Sequence, residues 1–66
     1  MTVIVNGREV EMPPGATVAD LLAKMGIAGR PVAVERNREV LARDRMQTTV
    51  LNDRDRLEVV TLVGGG

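Results

Sequence analysis

The 66-residue sequence contains no cysteine, histidine, serine, phenylalanine, tyrosine or tryptophan. Without cysteine and histidine the chain can build neither disulfides nor the thiolate and imidazole metal sites that are common in proteins. Ser-His-Asp and Cys-His catalytic arrangements are excluded for the same reason. The possible nucleophiles reduce to five threonines, Lys24, the carboxylates and the two chain ends. The composition therefore argues against an autonomous enzyme, and we expect no metal or cofactor of its own.

The sequence also lacks an excess of either charge. Nine basic and nine acidic residues give a net charge of zero, and the arginines alternate with acids, as in 35–39 and 53–56. Nucleic-acid binding requires an unopposed basic face and, for single strands, aromatic platforms for base stacking. Neither feature is present. We interpret the charges as a solvated surface with weak ion pairs.

Long apolar runs are missing as well. No run approaches the ~20 residues of a membrane-spanning helix, and the N-terminus lacks the basic and apolar regions of a secretion signal. A chain of this length allows one domain, near the lower limit for folding without disulfides or metals. We expect a cytoplasmic protein with a single domain over residues 1–63 and a flexible glycine tail over residues 64–66.

Alternating and β-branched runs predict several strands. Residues 2–5 form the first, Asn6-Gly7 is a hairpin turn signal, and residues 9–12 alternate as the partner strand with Val10 and Met12 facing inward. Further strands are predicted over residues 32–35, 39–41 and 57–63. Residues 43–49 have no clear period and are predicted as a 3₁₀ turn or a loop.

The clearest local signal is a helix start. Thr17 is a good N-cap, and Asp20 three residues later completes a capping box. Gly26 then predicts the helix end. Between them four apolar residues follow helical spacing and form one stripe that must cover a sheet: Val18, Leu21, Leu22 and Met25.

The order of these elements favours an α+β fold, a mixed four- to five-stranded sheet with one helix packed on one face. Such a layout places the last strand in the sheet centre, parallel to the first. We therefore expect four residues to face the helix: Val3, Val5, Leu57 and Val59. Val60 and Leu62 then lie on the open face of the sheet, where they are candidates for docking a partner, although scattered surface aliphatics are also normal.

The last predicted strand runs directly into Gly64-Gly65-Gly66. Three residues without side chains would hold the carboxylate of Gly66 on a thread roughly 10 Å long. Glycine-rich ends are otherwise usually frayed ends or leftover linkers. Against a linker, the glycines abut the strand without a polar spacer, and the chain contains no serine.

Taken together, these features resemble the ubiquitin-like β-grasp proteins and, among them, the ThiS family of sulfur carriers of thiamine biosynthesis. The matching segments span essentially the whole chain: the opening Val-Ile-Val-Asn-Gly, Pro-Gly-x-Thr-Val-x-x-Leu-Leu over 14–22, Val-Ala-Val-Glu-x-Asn over 32–37, Asp-x-Asp-x-Leu-Glu-Val over 53–59, and the glycine end. One departure is Arg54, where the family usually has glycine in an Asp-Gly-Asp turn. A left-handed residue there would be destabilised by about 1 kcal/mol.

The resemblance implies a carrier cycle centred on Gly66. An E1-like adenylyltransferase (ThiF) would use ATP and magnesium to convert the terminal carboxylate to an acyl adenylate. Sulfur from the persulfide of a cysteine desulfurase would displace AMP and leave a thiocarboxylate, which thiazole synthase (ThiG) would take. The roles implied are chemistry at Gly66, clearance at Gly64 and Gly65, and docking through Val60, Leu62 and Val63. The free carrier is expected to be a monomer.

Four alternatives remain open at this stage, and one of them is a carrier that feeds cysteine or another sulfur metabolite. The small subunit of molybdopterin synthase shares the fold and the Gly-Gly end, but it is usually longer and contains aromatics. A β-grasp interaction module would have an inert tail. A protein modifier would form an isopeptide bond, although a chain with Lys24 as its single lysine cannot build branched chains on itself through several lysines.

Overall fold

The first hairpin consists of two short strands in a computed structural model that describes residues 1–62. β1 (Thr2–Val5) pairs antiparallel with β2 (Arg8–Glu11). Asn6 and Gly7 connect them with φ angles of 51° and 80°. Both angles are positive, as a type I′ turn requires, and this explains why an Asn-Gly pair stands here. Met12 is buried as predicted, but it follows β2 instead of belonging to it.

α1 (Val18–Lys24) begins and ends where the sequence predicts. The Thr17 amide donates to Asp20 Oδ2 at 2.9 Å, and the Asp20 amide donates to Thr17 Oγ1 at 3.2 Å. At the other end Gly26 has a φ of 78° and the Ile27 amide reaches the Leu22 carbonyl, which is the pairing of a Schellman motif.

One member of the predicted apolar stripe does not join the core. Val18, Leu21 and Leu22 are buried, whereas Met25 is 37% exposed. Met25 is the C-cap residue, where the helix gives way to the left-handed Gly26, so it lies at the margin of the face that meets the sheet. The prediction of a four-residue buried stripe was therefore wrong at its last position.

β3 (Val32–Arg36) and β4 (Glu39–Leu41) form a second hairpin, and a 3₁₀ helix (Arg43–Arg45) follows. The final strand is β5 (Arg56–Thr61). Within residues 1–62 the five strands form one mixed sheet in the order β2-β1-β5-β3-β4. β5 is parallel to β1 and antiparallel to β3. The predicted central position of the last strand is confirmed.

The core lies between α1 and one face of the sheet. Val3, Val5, Leu57 and Val59 are all at most 7% exposed, as their predicted inward direction requires. Leu21 of the helix has no exposed surface. At ~1.5–3 kcal/mol for each fully buried aliphatic side chain, these contacts supply most of the drive to fold. No helix among residues 1–62 is long and apolar enough to cross a membrane.

Candidate functional site

The end of β5 is the part of the described chain that leads toward the predicted site. Val60 and Leu62 lie on the open face of the sheet and are 57% and 52% exposed. Ala33 of β3 is the ladder partner of Val60. The predicted exposure of these two aliphatic side chains is confirmed, whereas their docking role stays a prediction. The remaining predicted site residues, Val63 and Gly64 to Gly66, lie outside the described residues.

Backbone hydrogen bonds join β5 to β3 along most of its length. The ladder with β3 runs from Leu57 to Thr61, and the Leu62 amide continues it by donating to the Pro31 carbonyl at 2.9 Å. A chain paired in this way has a fixed direction up to residue 62. Leu62, the last described residue, therefore lies at a defined edge of the domain.

On its other side β5 is held by a side chain. β1 ends at Val5, and the next residue, Asn6, places its amide against β5: Val59 N–H donates to Asn6 Oδ1 at 2.8 Å, and Asn6 Nδ2 donates to the Val59 carbonyl at 3.0 Å. The Asn6 amide thus replaces the peptide group that a longer β1 would have provided. The sequence indicated Asn6 as a turn residue and gave no signal of this second role.

A buried acid stabilises the start of β5. Asp55 is 6% exposed and accepts three hydrogen bonds: from Arg36 Nε at 2.9 Å, from Asn37 Nδ2 at 3.0 Å and from the Asn52 amide at 2.8 Å. Burial raises the pKa of this carboxyl, but the hydrogen bonds and the Arg36 charge together lower it by more than burial raises it. The pKa of Asp55 therefore lies below its ordinary value. Asp55 therefore joins the β3–β4 turn to the turn before β5.

The expected network of weak surface ion pairs is sparse. Within residues 1–62 two ion pairs form, Arg36–Asp55 and one between the N-terminal amine of Met1 and Glu11 at 3.9 Å. The first is partly buried and links two of the alternating charge segments. The prediction of a surface laced with ion pairs was wrong, because the alternating charges lie mostly on side chains that point into solvent.

Charged side chains line the other end of the open face. A half-open pocket of about 410 Å³ is lined by Glu35, Glu58, Arg38 and Arg56, together with Asn37. Glu35 and Glu58 are direct ladder partners. The open face thus has a charged region near the start of β5 and an apolar region near its end.

Across residues 1–62 no group of three or more acidic, histidine or cysteine side chains could hold a metal ion. Lys24 is engaged by the domain itself, since Nζ donates to the Glu11 carbonyl at 2.6 Å. What this part of the chain provides is a firmly held strand with an exposed apolar end.

Comparisons with known proteins agree on one family. The family model described as "ThiS family" matches residues 3–66. The sulfur carrier protein ThiS of Bacillus subtilis is 40% identical over 62 residues, covering 92% of this chain and 94% of that protein. The crystal structure of the thiamine biosynthesis protein ThiS from Geobacter metallireducens superposes with a TM-score of 0.82 at 33% identity, over all of both chains.

A third relative is a longer protein. A thiazole synthase from Paramagnetospirillum magneticum is 39% identical over all 66 residues of this chain, which span only 20% of that protein. Most of the thiazole synthase thus has no counterpart here. Its matching fifth corresponds to the entire β-grasp sequence described above.

Proposed function

The chain belongs to the ThiS family, and on that premise we propose that it is a sulfur carrier for the synthesis of the thiazole ring of thiamine. The observation that carries the proposal is the match of the family model, which extends through residue 66 and so includes the glycine tail. The exposed apolar end of β5 supports it, because a carrier must be recognised by the enzymes that load and unload it.

The proposed chemistry takes place at the carboxylate of Gly66. A carboxylate is a poor acyl electrophile, since its oxygen is a poor leaving group. Attack of the carboxylate oxygen on the α-phosphorus of ATP would release pyrophosphate and give an acyl adenylate. Attack of hydrosulfide on the acyl carbon would then release AMP and leave a thiocarboxylate. With a persulfide as donor, the same attack releases AMP and gives an acyl disulfide. A thiol then attacks the donor's sulfur, forms a disulfide with it and releases the thiocarboxylate.

In this proposal the domain supplies presentation rather than catalysis. ATP and magnesium belong to an E1-like adenylyltransferase partner, the persulfide belongs to a cysteine desulfurase, and the chain acts as their co-substrate. Glycine at 64, 65 and 66 leaves no side chain to obstruct a narrow channel or the approach to the acyl carbon. Val60, Leu62 and Val63 would contact the partner.

The receiving enzyme is proposed to be a thiazole synthase. Support comes from the thiazole synthase of Paramagnetospirillum magneticum, in which a segment similar to this whole chain forms part of the synthase polypeptide. Two domains joined in one chain are held at high effective concentration. A separate carrier would need a docking surface to reach the same partner.

Intact-mass measurement tests the proposed function. Protein co-expressed with the adenylyltransferase and cysteine desulfurase of the same organism, without the thiazole synthase that would consume the sulfur, should carry one sulfur in place of one oxygen at Gly66. A truncated control ending at Gly64 should keep an unchanged mass under the same conditions. An unchanged mass for the wild-type chain would favour an inert interaction module, and covalent adducts with other proteins would indicate a modifier.

A further inference from the structure

A second surface feature lies near the end of β5 and has no role in the function proposed above. A cavity of about 340 Å³, which we call the arginine cavity, lies between α1, the loop that follows it and the 3₁₀ helix. Leu22, Val32 and Met46 are apolar residues of its lining, and Arg30 and Arg43 are the charged ones. Among the described residues that line it there is no Asp or Glu.

The two arginines of the cavity have no acidic partner within residues 1–62, where the ion pairs are those of Met1 with Glu11 and Arg36 with Asp55. Arg30 and Arg43 are both exposed. A guanidinium offers five donors in a plane that matches a carboxylate, and it keeps its charge at any physiological pH. Two of them beside one cavity create a local positive potential on a chain whose net charge is zero.

The position of the cavity connects it to the proposed site. Val32, which lines the cavity, is the ladder partner of Thr61, and the carbonyl of Pro31 accepts the amide of Leu62. The cavity therefore opens beside the last paired residues of β5. An enzyme that takes hold of the residues beyond Leu62 must come close to this part of the surface.

We propose that the arginine cavity receives an acidic side chain of the enzyme that engages the tail. Its carboxylate would accept hydrogen bonds from Arg30 and Arg43, which charge makes stronger than neutral ones. Its methylene groups would contact Leu22 and Met46. This inference rests on the proposed carrier function, because it requires a partner protein positioned at the end of β5.

The mixed lining favours a protein side chain over a free anion. A small inorganic anion gains nothing from the apolar half of the lining, whereas an aspartate or glutamate brings an aliphatic stem together with its charge. In the proposed cycle the phosphates of ATP react at Gly66, four residues beyond Leu62, so the cavity is not needed to hold them.

Charge-removing substitutions test the inference. Arg30→Gln and Arg43→Gln should each weaken binding to the adenylyltransferase or the thiazole synthase of the same organism about tenfold in Kd. The double variant should also flatten the salt dependence of Kd. Arg45→Gln is the matched control: Arg45 belongs to the same 3₁₀ helix but does not line the cavity, and its Kd should stay within about twofold of wild type. All variants should melt at the wild-type temperature.

Two results would overturn the inference. Equal Kd values for Arg30→Gln, Arg43→Gln and Arg45→Gln would remove any special role of the cavity. Inorganic phosphate that shifts the amide resonances of the cavity, with partner affinity unchanged in the variants, would identify a free-anion site instead.

Failure of this inference can be distinguished from failure of the proposed function. If the wild-type chain is loaded with sulfur but the arginine variants bind the partner as well as Arg45→Gln does, only this inference is rejected. A wild-type chain that is neither loaded nor bound by either enzyme rejects both proposals.

Discussion

Asp55 connects the turn before β5 to both β1 and β3. Its carboxylate accepts hydrogen bonds from Arg36, Asn37 and the Asn52 amide, and its own carbonyl accepts the amide of Ile4 in β1. Because the pKa of Asp55 is lowered in the folded state, the ionised form is bound more tightly by the fold than the protonated form. This stabilisation is present above the unfolded pKa of about 3.9 and is lost as the pH falls through the folded pKa.

Substitution of Asp55 should therefore change the pH dependence of stability. Asp55→Asn should lower the free energy of unfolding by about 2 kcal/mol at pH 7, the usual size of hydrogen bonds to a charged group. It should also flatten the loss of stability between about pH 5 and pH 2. Urea denaturation at several pH values measures both effects. Asp44→Asn, at an exposed position, is the control; an equally steep acid limb in Asp55→Asn would contradict the assignment.

Arg54 carries a backbone conformation that its side chain disfavours. Its φ is 71° in the turn before β5. The turn therefore keeps a left-handed residue, although arginine stands where the Asp-Gly-Asp pattern has glycine. We expect Arg54→Gly to stabilise the protein by about 0.5–1 kcal/mol, since relief of the left-handed strain exceeds the added freedom of the unfolded chain.

The thermal midpoint checks this expectation. Arg54→Gly should raise the melting temperature by about 2–8 °C. Arg56→Gly, at the first residue of β5, should lower it, because glycine disfavours the extended conformation of a strand. A lower midpoint for Arg54→Gly would show that the side chain contributes more than the strained backbone loses.

Among the elements, β5 combines a structural and a proposed functional role. Its inward residues Leu57 and Val59 are buried against the helix side, and its outward residue Val60 is exposed. The same strand can therefore be changed on one face without altering the core. This separation makes the docking role of the open face testable apart from stability.

Val60→Lys should weaken binding to the adenylyltransferase about tenfold or more in Kd, because a charge would be buried in the apolar part of the interface. The melting temperature should change little. Val40→Lys is the matched control, since Val40 lies in the edge strand β4 and is 82% exposed. Equal losses of affinity for both variants would contradict a docking site centred on the end of β5.

Elements with a local physical signal could be predicted from the sequence. The capping box at Thr17 and Asp20, the left-handed Gly26 and the Asn-Gly turn each depend on residues a few positions apart, and all are present. Alternation likewise indicated which face of β5 is inward. The exposure of Met25 could not be read from helical spacing, because it depends on where the helix ends relative to the sheet.

Contacts between distant residues were beyond the sequence argument. Asn6 bonds the backbone of Val59 across 53 positions, and Arg36 bonds Asp55 across 19. Nothing in the local pattern separates these side chains from the other polar residues. Both contacts depend on the order of the strands, which places β1 and β3 on either side of β5.

At the scale of the whole molecule, the sheet order explains how a small domain can present a tail. β5 lies between β1 and β3, and these two strands each pair with a further strand, so every other strand of the described sheet supports it directly or through one neighbour. The strand that leads to the glycines is thus supported by a neighbouring strand on each side. The proposed division of labour follows: a rigid domain for recognition and a bare glycine end for chemistry.

The account as a whole depends on activation of Gly66. The most direct measurement is ATP–pyrophosphate exchange catalysed by the adenylyltransferase of the same organism, with the wild-type chain and with a variant carrying one alanine after Gly66. We predict exchange that depends on the wild-type chain and is lost with the extended variant, although both melt at the same temperature. Absence of exchange with the wild-type chain, or equal exchange with both chains, would contradict the proposal that the Gly66 carboxylate is where sulfur is loaded.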